Sequence, residues 1–202
     1  MLTAWDRIKT WCEQYAPETL AALNPGATDE DFRVAEERFG VTLPAEIRAL
    51  YAIHNGQREE GQSLLPAGDW LSLDDVYGQW QVWEKLRCDG EFEESRSDPD
   101  AEIRADWWNA RWIPITNDGG GNHYCVDLAP TDSGTVGQII TMWHDDGSRS
   151  VIAISLADWL IQIADDMESG AIIYSPNEYN GVALREHISE DEEWRGVDVQ
   201  AL

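Results

Sequence analysis

The sequence predicts an α+β fold, and three observations lead there. Amphipathic helical spacing opened by capping boxes fills most of the N-terminal half. The stretch from Trp112 to Leu128 reads as two short strands around a glycine-rich turn, with two further strand candidates behind it. A third capping box at Ser155 then launches a closing helix.

Residues 3–15 place Trp5, Ile8, Trp11, Cys12 and Tyr15 at helical spacing, in a helix that Pro17 is expected to stop. A short turn over 21–23 ends at Asn24-Pro25-Gly26. Thr28-Asp29-Glu30-Asp31 is close to a capping box. It opens a helix that buries Phe32, Ala35 and Phe39 and ends at Gly40. Thr42-Leu43-Pro44 begins the next, with Ile47, Leu50, Tyr51 and Ile53 inward and Asn55-Gly56 as its end; His54 is expected to meet the terminal carbonyls. A loop carrying Trp70 leads to Ser72–Asp75, the second capping box, and to a helix with Val76, Trp80, Trp83 and Leu86 along one side. From Glu84 to Asp106 there are nine acids against four bases and few apolar residues, which reads as a solvated excursion rather than core.

The hairpin follows. Trp112, Ile113, Ile115 and Thr116 favour a strand, with Pro114 tolerable only at an edge or end. His123, Cys125 and Asp127 alternate with Tyr124, Val126 and Leu128, so the two sets face opposite ways. Gly119, Gly120 and Gly121 offer positive φ, with Gly120 taken as the strained position, while Asp118 and Asn122 are expected to bond their own turn. Val136–Trp143 is a strand, His144–Ser148 a hairpin loop, and Ser150–Ile154 the return strand. The last helix puts Leu156, Trp159, Leu160, Ile163 and Met167 on one face and stops at Gly170. Ala171–Tyr174 and Val182–Leu184 are short strand candidates around Pro176-Asn177. A single domain over 1–184, with the excursion at 84–106, is followed by an acidic, frayed tail over 185–202 on which Trp194 is placed to dock.

A formal charge of −25, from 39 acids against 14 bases, argues against nucleic acid and an anionic membrane face as partners. It leaves a cationic partner, or plain solubility, as its use. Cys12, Cys88 and Cys125 form no CxxC pair, and no basic leader or long apolar run is present; the expectation is a cytoplasmic protein with no zinc site, disulfide framework or cofactor. The glycine run lacks the Lys-Ser/Thr of a phosphate loop. Asp118, Asn122 and Asp127, like His144-Asp145-Asp146, lack the spacing of a calcium loop. His123 and Cys125 share a strand face, but nothing marks Cys125 as an activated nucleophile, so no catalytic residue is assigned and the chain reads as a non-enzyme. Trp5, Trp11, Trp80, Trp83 and Trp159 fit core stripes. Trp107, Trp108 and Trp112 crowd one strand start and are not expected all to face inward.

The ordering of these features resembles the SUKH superfamily of Smi/Knr-like domains. The residues that carry it are the Trp-bearing first helix, Glu36 and Gly40, Leu43-Pro44, Leu50-Tyr51, Asn55-Gly56, Ile113-Pro114, Gly119 to Asn122, Asp127, and the helix start from Ser155 to Leu160. The resemblance implies a mixed or antiparallel sheet flanked by helices, and a binding role. It is similar to bacterial immunity proteins that neutralise a cognate toxin, here a basic one; the alternative is a regulatory or scaffold module like the fungal members. The surface expected to bind the partner comprises Glu91, Glu93, Glu94, Asp98, Asp100 and Glu102 with Trp107 and Trp108 as anchors. Asp145 and Asp146 on the hairpin loop come next.

Overall fold

The computed structural model describes residues 2–58, 61–66, 68–175, 181–184 and 195–197. Four helices come first: α1 (Leu2–Tyr15), α2 (Pro17–Ala21), α3 (Asp29–Phe39) and α4 (Ala45–Tyr51). The capping box of α3 is complete: Asp31 N donates to Thr28 Oγ1 at 3.2 Å and Thr28 N donates back to Asp31 Oδ2 at 2.7 Å. Gly40 closes it at φ 65, where a side chain would be strained. Pro17 ends α1 as expected but also opens α2, because the first helical turn needs no N–H at that position. His54 Nδ1 pairs with Asn24 O at 2.9 Å, so it meets a carbonyl of the preceding loop and not the end of α4.

Next come β1 (Asp69–Trp70), α5 (Leu73–Cys88), β2 (Asp98–Pro99), β3 (Trp112–Pro114), β4 (Thr116–Asn117), β5 (His123–Asp127), β6 (Gln138–Met142), β7 (Ser148–Arg149), β8 (Val151–Ala153), α6 (Leu156–Ser169), β9 (Ile172–Ser175) and β10 (Gly181–Leu184). The central sheet runs β3-β5-β6-β8, antiparallel throughout. Pro114 ends its edge strand β3, where the missing N–H does least harm. The expected return strand, Ser150–Ile154, is β8 at Val151–Ala153; a further strand, β7, forms where the hairpin loop was expected to end, and between the two Ser150 N donates to Thr141 Oγ1 at 2.9 Å. Trp70, expected on a loop, lies in β1 opposite Thr116 and is 2% exposed.

Alternation sends the two strand faces into two separate cores. Ile113, Ile115, Val126, Ile139 and Ala153 join Trp5, Ile8, Phe32, Ile47 and the buried stripe of α6. Trp112, Cys125, Ile140 and Met142 face the other way, against Trp83, Trp108 and Ile103. An antiparallel sheet buried on both faces needs a second cover. The segment from Asp89 to Trp108 provides part of it, as an irregular strap across the sheet. This corrects the reading of 84–106 as solvated throughout. Its acids face water, but Ile103 is 2% exposed and Phe92 packs half-buried against the second core.

In the glycine turn, Gly120 N and Asn122 N donate to Asp118 Oδ1 at 2.7 and 3.0 Å, so Asp118 holds its own loop as expected. The left-handed residues are Gly119 (φ 81) and Gly121 (φ 96), not Gly120. The turn around Pro176-Asn177 and the side chain of Trp194 lie outside the described residues. Within the tail, Arg195 is docked: its backbone pairs with Tyr174 in both directions at 2.7 Å and its guanidinium meets Glu18 at 2.8 Å.

Candidate partner-binding surface

The strap is fixed to the sheet by a small number of polar ties. β2 pairs in parallel with β7, and Asp98 N donates to Gly147 O at 2.8 Å. Asp100 N donates to Arg149 O at 2.8 Å, and its carboxylate accepts from Val151 N at 2.8 Å. The strongest tie is Arg149, 1% exposed, with no carboxylate partner among the described residues. Its guanidinium donates to Asp146 O (2.5 Å), Ser148 O (2.7 Å) and Trp107 O (2.9 Å), and lies 5.2 Å from the centre of the Trp107 ring. Burial holds its pKa below the usual value for arginine. Little in the residues signals this: a lone arginine between two serines has the look of an exposed strand position.

These ties bring most of the expected binding residues together. Glu91, Glu93, Glu94, Asp98 and Asp100 are exposed, and Glu102 is half-buried. Asp145 and Asp146 sit exposed on the hairpin loop, which adjoins the strap through the contact of Gly147 with Asp98. Asp146 accepts from Ser148 N and Oγ, both at 2.7 Å, and those bonds keep its carboxyl below the usual range. The two tryptophans part company. Trp107 is half-buried and exposes part of its ring; Trp108 is 3% exposed, stacked on Trp83 at 5.8 Å and edge-on to Trp112 at 6.2 Å. Trp108 is therefore a core residue and not a surface anchor. Sequence spacing showed that the three tryptophans of this stretch could not share one strand face. It did not show that the strap would bring Trp108 and Trp112 into one core.

Two of the three cysteines and His123 are sealed, while Cys88 is exposed at the end of α5. Cys125 is fully buried, and burial raises its thiol pKa far above the ordinary value; the buried Cys12 thiol is pushed up to about 12. His123 is 1% exposed, with Nε2 accepting from Trp83 Nε1 at 3.1 Å and Nδ1 bonded to Thr116 O at 2.7 Å. Both ring nitrogens are used, and the pattern fixes a neutral imidazole with its proton on Nδ1. No cluster of three or more metal-ligating side chains occurs among the described residues. None of the described helices is long and apolar enough to cross a membrane.

Burial lowers the His123 pKa, so acidification protonates the unfolded chain before the folded one. Its stabilising contribution is complete above the unfolded value of about 6.5 and falls away as pH drops through the lower folded value. Urea midpoints at neutral and mildly acid pH should therefore fall more steeply in the wild type than in His123→Gln. The many carboxylates act alike in both proteins, so equal pH slopes would remove this role for the imidazole.

The family model of the SMI1 / KNR4 family (SUKH-1) matches residues 26–162, a span that includes both the hairpin and the strap. The chain is 28% identical to a glucan synthesis regulatory protein of Neurospora crassa, over 91% of this chain and 41% of the relative. It is 29% identical to the cell wall assembly regulator SMI1 of Saccharomyces cerevisiae, over 84% and 41%. With the cell wall biosynthesis/cell cycle regulator smi1 of Schizosaccharomyces pombe it shares 30% identity over 83% and 36%. The chain spans about two fifths of the length of these relatives. By the match over residues 26–162, which is more than half of its length, the chain belongs to the SMI1/KNR4 (SUKH-1) family.

Proposed function

We propose that the chain is a non-catalytic binding module with a regulatory role of the cell-wall-assembly-regulator type, acting in the cytoplasm on a basic protein partner. The observation that carries this reading is a division of labour in the structure. Cys12, Cys125 and His123 are buried and the exposed Cys88 has no histidine bonded to it among the described residues, while carboxylates without internal partners are gathered on one exposed strap. An acidic surface steers a basic partner into encounter, and a partly exposed aromatic supplies the hold. The same net charge disfavours nucleic acid and anionic membrane as partners. Relatives named as regulators of glucan synthesis and cell wall assembly favour this reading over neutralisation of a toxin, the other function that a surface of this kind serves.

The test is a chimera in which this chain replaces the matching segment of the Saccharomyces cerevisiae regulator. Restored growth under cell-wall stress is the expected result. A folded, expressed chimera that fails to restore growth, in a chain that instead protects cells from a toxin encoded by the neighbouring gene, would transfer the protein to the neutralising class.

A further inference from the structure

Beside the strap lies a cavity of about 400 Å³ lined by the aromatic Phe92, Trp107 and Trp108, by two acids, Glu93 and Asp106, and by two arginines, Arg87 and Arg96. Phe92 leans on Trp107 at 6.4 Å between ring centres. Of the two arginines, Arg87 is paired with a carboxylate and Arg96 bonds only to backbone carbonyls. Arg96 donates to Glu93 O at 3.3 Å and Ser95 O at 2.8 Å, while neighbouring Arg87 is held by Glu84 through bonds of 2.9 and 2.6 Å. Glu91, Glu93, Glu94 and Asp98 are exposed and enter no ion pair or side-chain hydrogen bond with the described residues. Over Glu84–Asp106 nine acids against four bases leave the strap beside the aromatic wall net negative, and of the four free acids Glu93 lines the groove itself.

We propose that this groove seats an arginine side chain of an extended basic peptide, an inference that rests on the binding-module reading above and names its partner's chemistry. A guanidinium is flat, weakly hydrated and rich in donors, so it can lie on an aromatic ring while its N–H groups reach carboxylates. The protein already makes that contact from within: Arg149 lies 5.2 Å from the Trp107 ring. Lysine, a compact and strongly hydrated charge, gains less from the aromatic wall. The aromatic contribution separates this site from bulk attraction to an acidic surface.

The experiment is fluorescence anisotropy with a labelled octapeptide of alternating arginine and glycine, set against its lysine and glutamate counterparts. The arginine peptide should bind saturably, tighter than the lysine peptide, and the glutamate peptide should not bind. The triple reversal Glu91→Lys, Glu93→Lys, Glu94→Lys and, separately, Trp107→Leu should each weaken binding by about fivefold or more. An equal charge change on α1 and α3 (Glu13→Lys, Glu30→Lys, Glu37→Lys) should weaken it less than about twofold. If circular dichroism shows that Trp107→Leu does not fold, Phe92→Leu tests the same wall. Absence of saturable binding, or equal losses from the near and the distant reversals, would overturn the proposal. The binding-module reading stands or falls separately on the chimera. Growth restored by a chimera carrying the near reversal would remove the groove and keep the module.

Discussion

Replacing Arg149 with methionine should cost about 3 kcal/mol of stability, read from urea unfolding at neutral pH. The methionine keeps most of the buried stem but removes donors from three carbonyls, those of Asp146, Ser148 and Trp107. These acceptors are part-buried, so each loses its hydrogen bond and regains only part of its hydration. Opposing this is the cost of keeping a guanidinium out of water without a carboxylate beside it. The bonds should win because the donors are arranged to meet carbonyls of the hairpin loop and of the strap at once. Lysine at this position should fall between the two, since one ammonium does not span the same set of acceptors. A methionine variant as stable as the wild type would mean that desolvation cancels everything the bonds supply.

The second large effect is Trp108→Ala, which should lose about 3–5 kcal/mol, the range for truncating a buried large aromatic. Trp108 stacks on Trp83 and meets Trp112 edge-on, so its removal opens a void at the centre of the second core. Trp107→Ala should cost distinctly less, because that ring is half-buried. Equal losses for the two would contradict the division between a core ring and a groove ring. The comparison needs only thermal melts, and it separates damage to the fold from damage to the groove.

The helices and the hairpin were legible because their signals are local. Thr28, Ser72 and Ser155 each precede an acid three residues on, and in each case the hydroxyl accepts from that residue's backbone N–H. The period-two pattern of His123 to Leu128 gave the two strand faces correctly, since alternation depends on nothing outside the strand. What escaped was non-local. Phe92 and Ile103 stand alone among acids, and no periodicity marks an irregular segment that covers a sheet with two or three side chains. Trp70 looked like a loop residue because a two-residue strand carries no pattern, and its pairing partner, Thr116, is 46 positions away. At the candidate site, the acids were legible from charge density alone. The Arg149 ties that hold the strap against the hairpin loop, and so gather those acids on one surface, were not.

The pairing of Asp98–Pro99 with Ser148–Arg149 also bears on how the chain reaches its native state. It joins positions some fifty residues apart, whereas β5 and β6 meet through a short connection. Loop-closure entropy makes the longer contact the slower one to form. The sheet can therefore assemble while its outer side at β7 and β8 is still open, with the Val151 N–H awaiting the Asp100 carboxylate. An unpaired strand edge is a template for pairing with another chain. Like charges on the strap would oppose the approach of a second copy to such an edge.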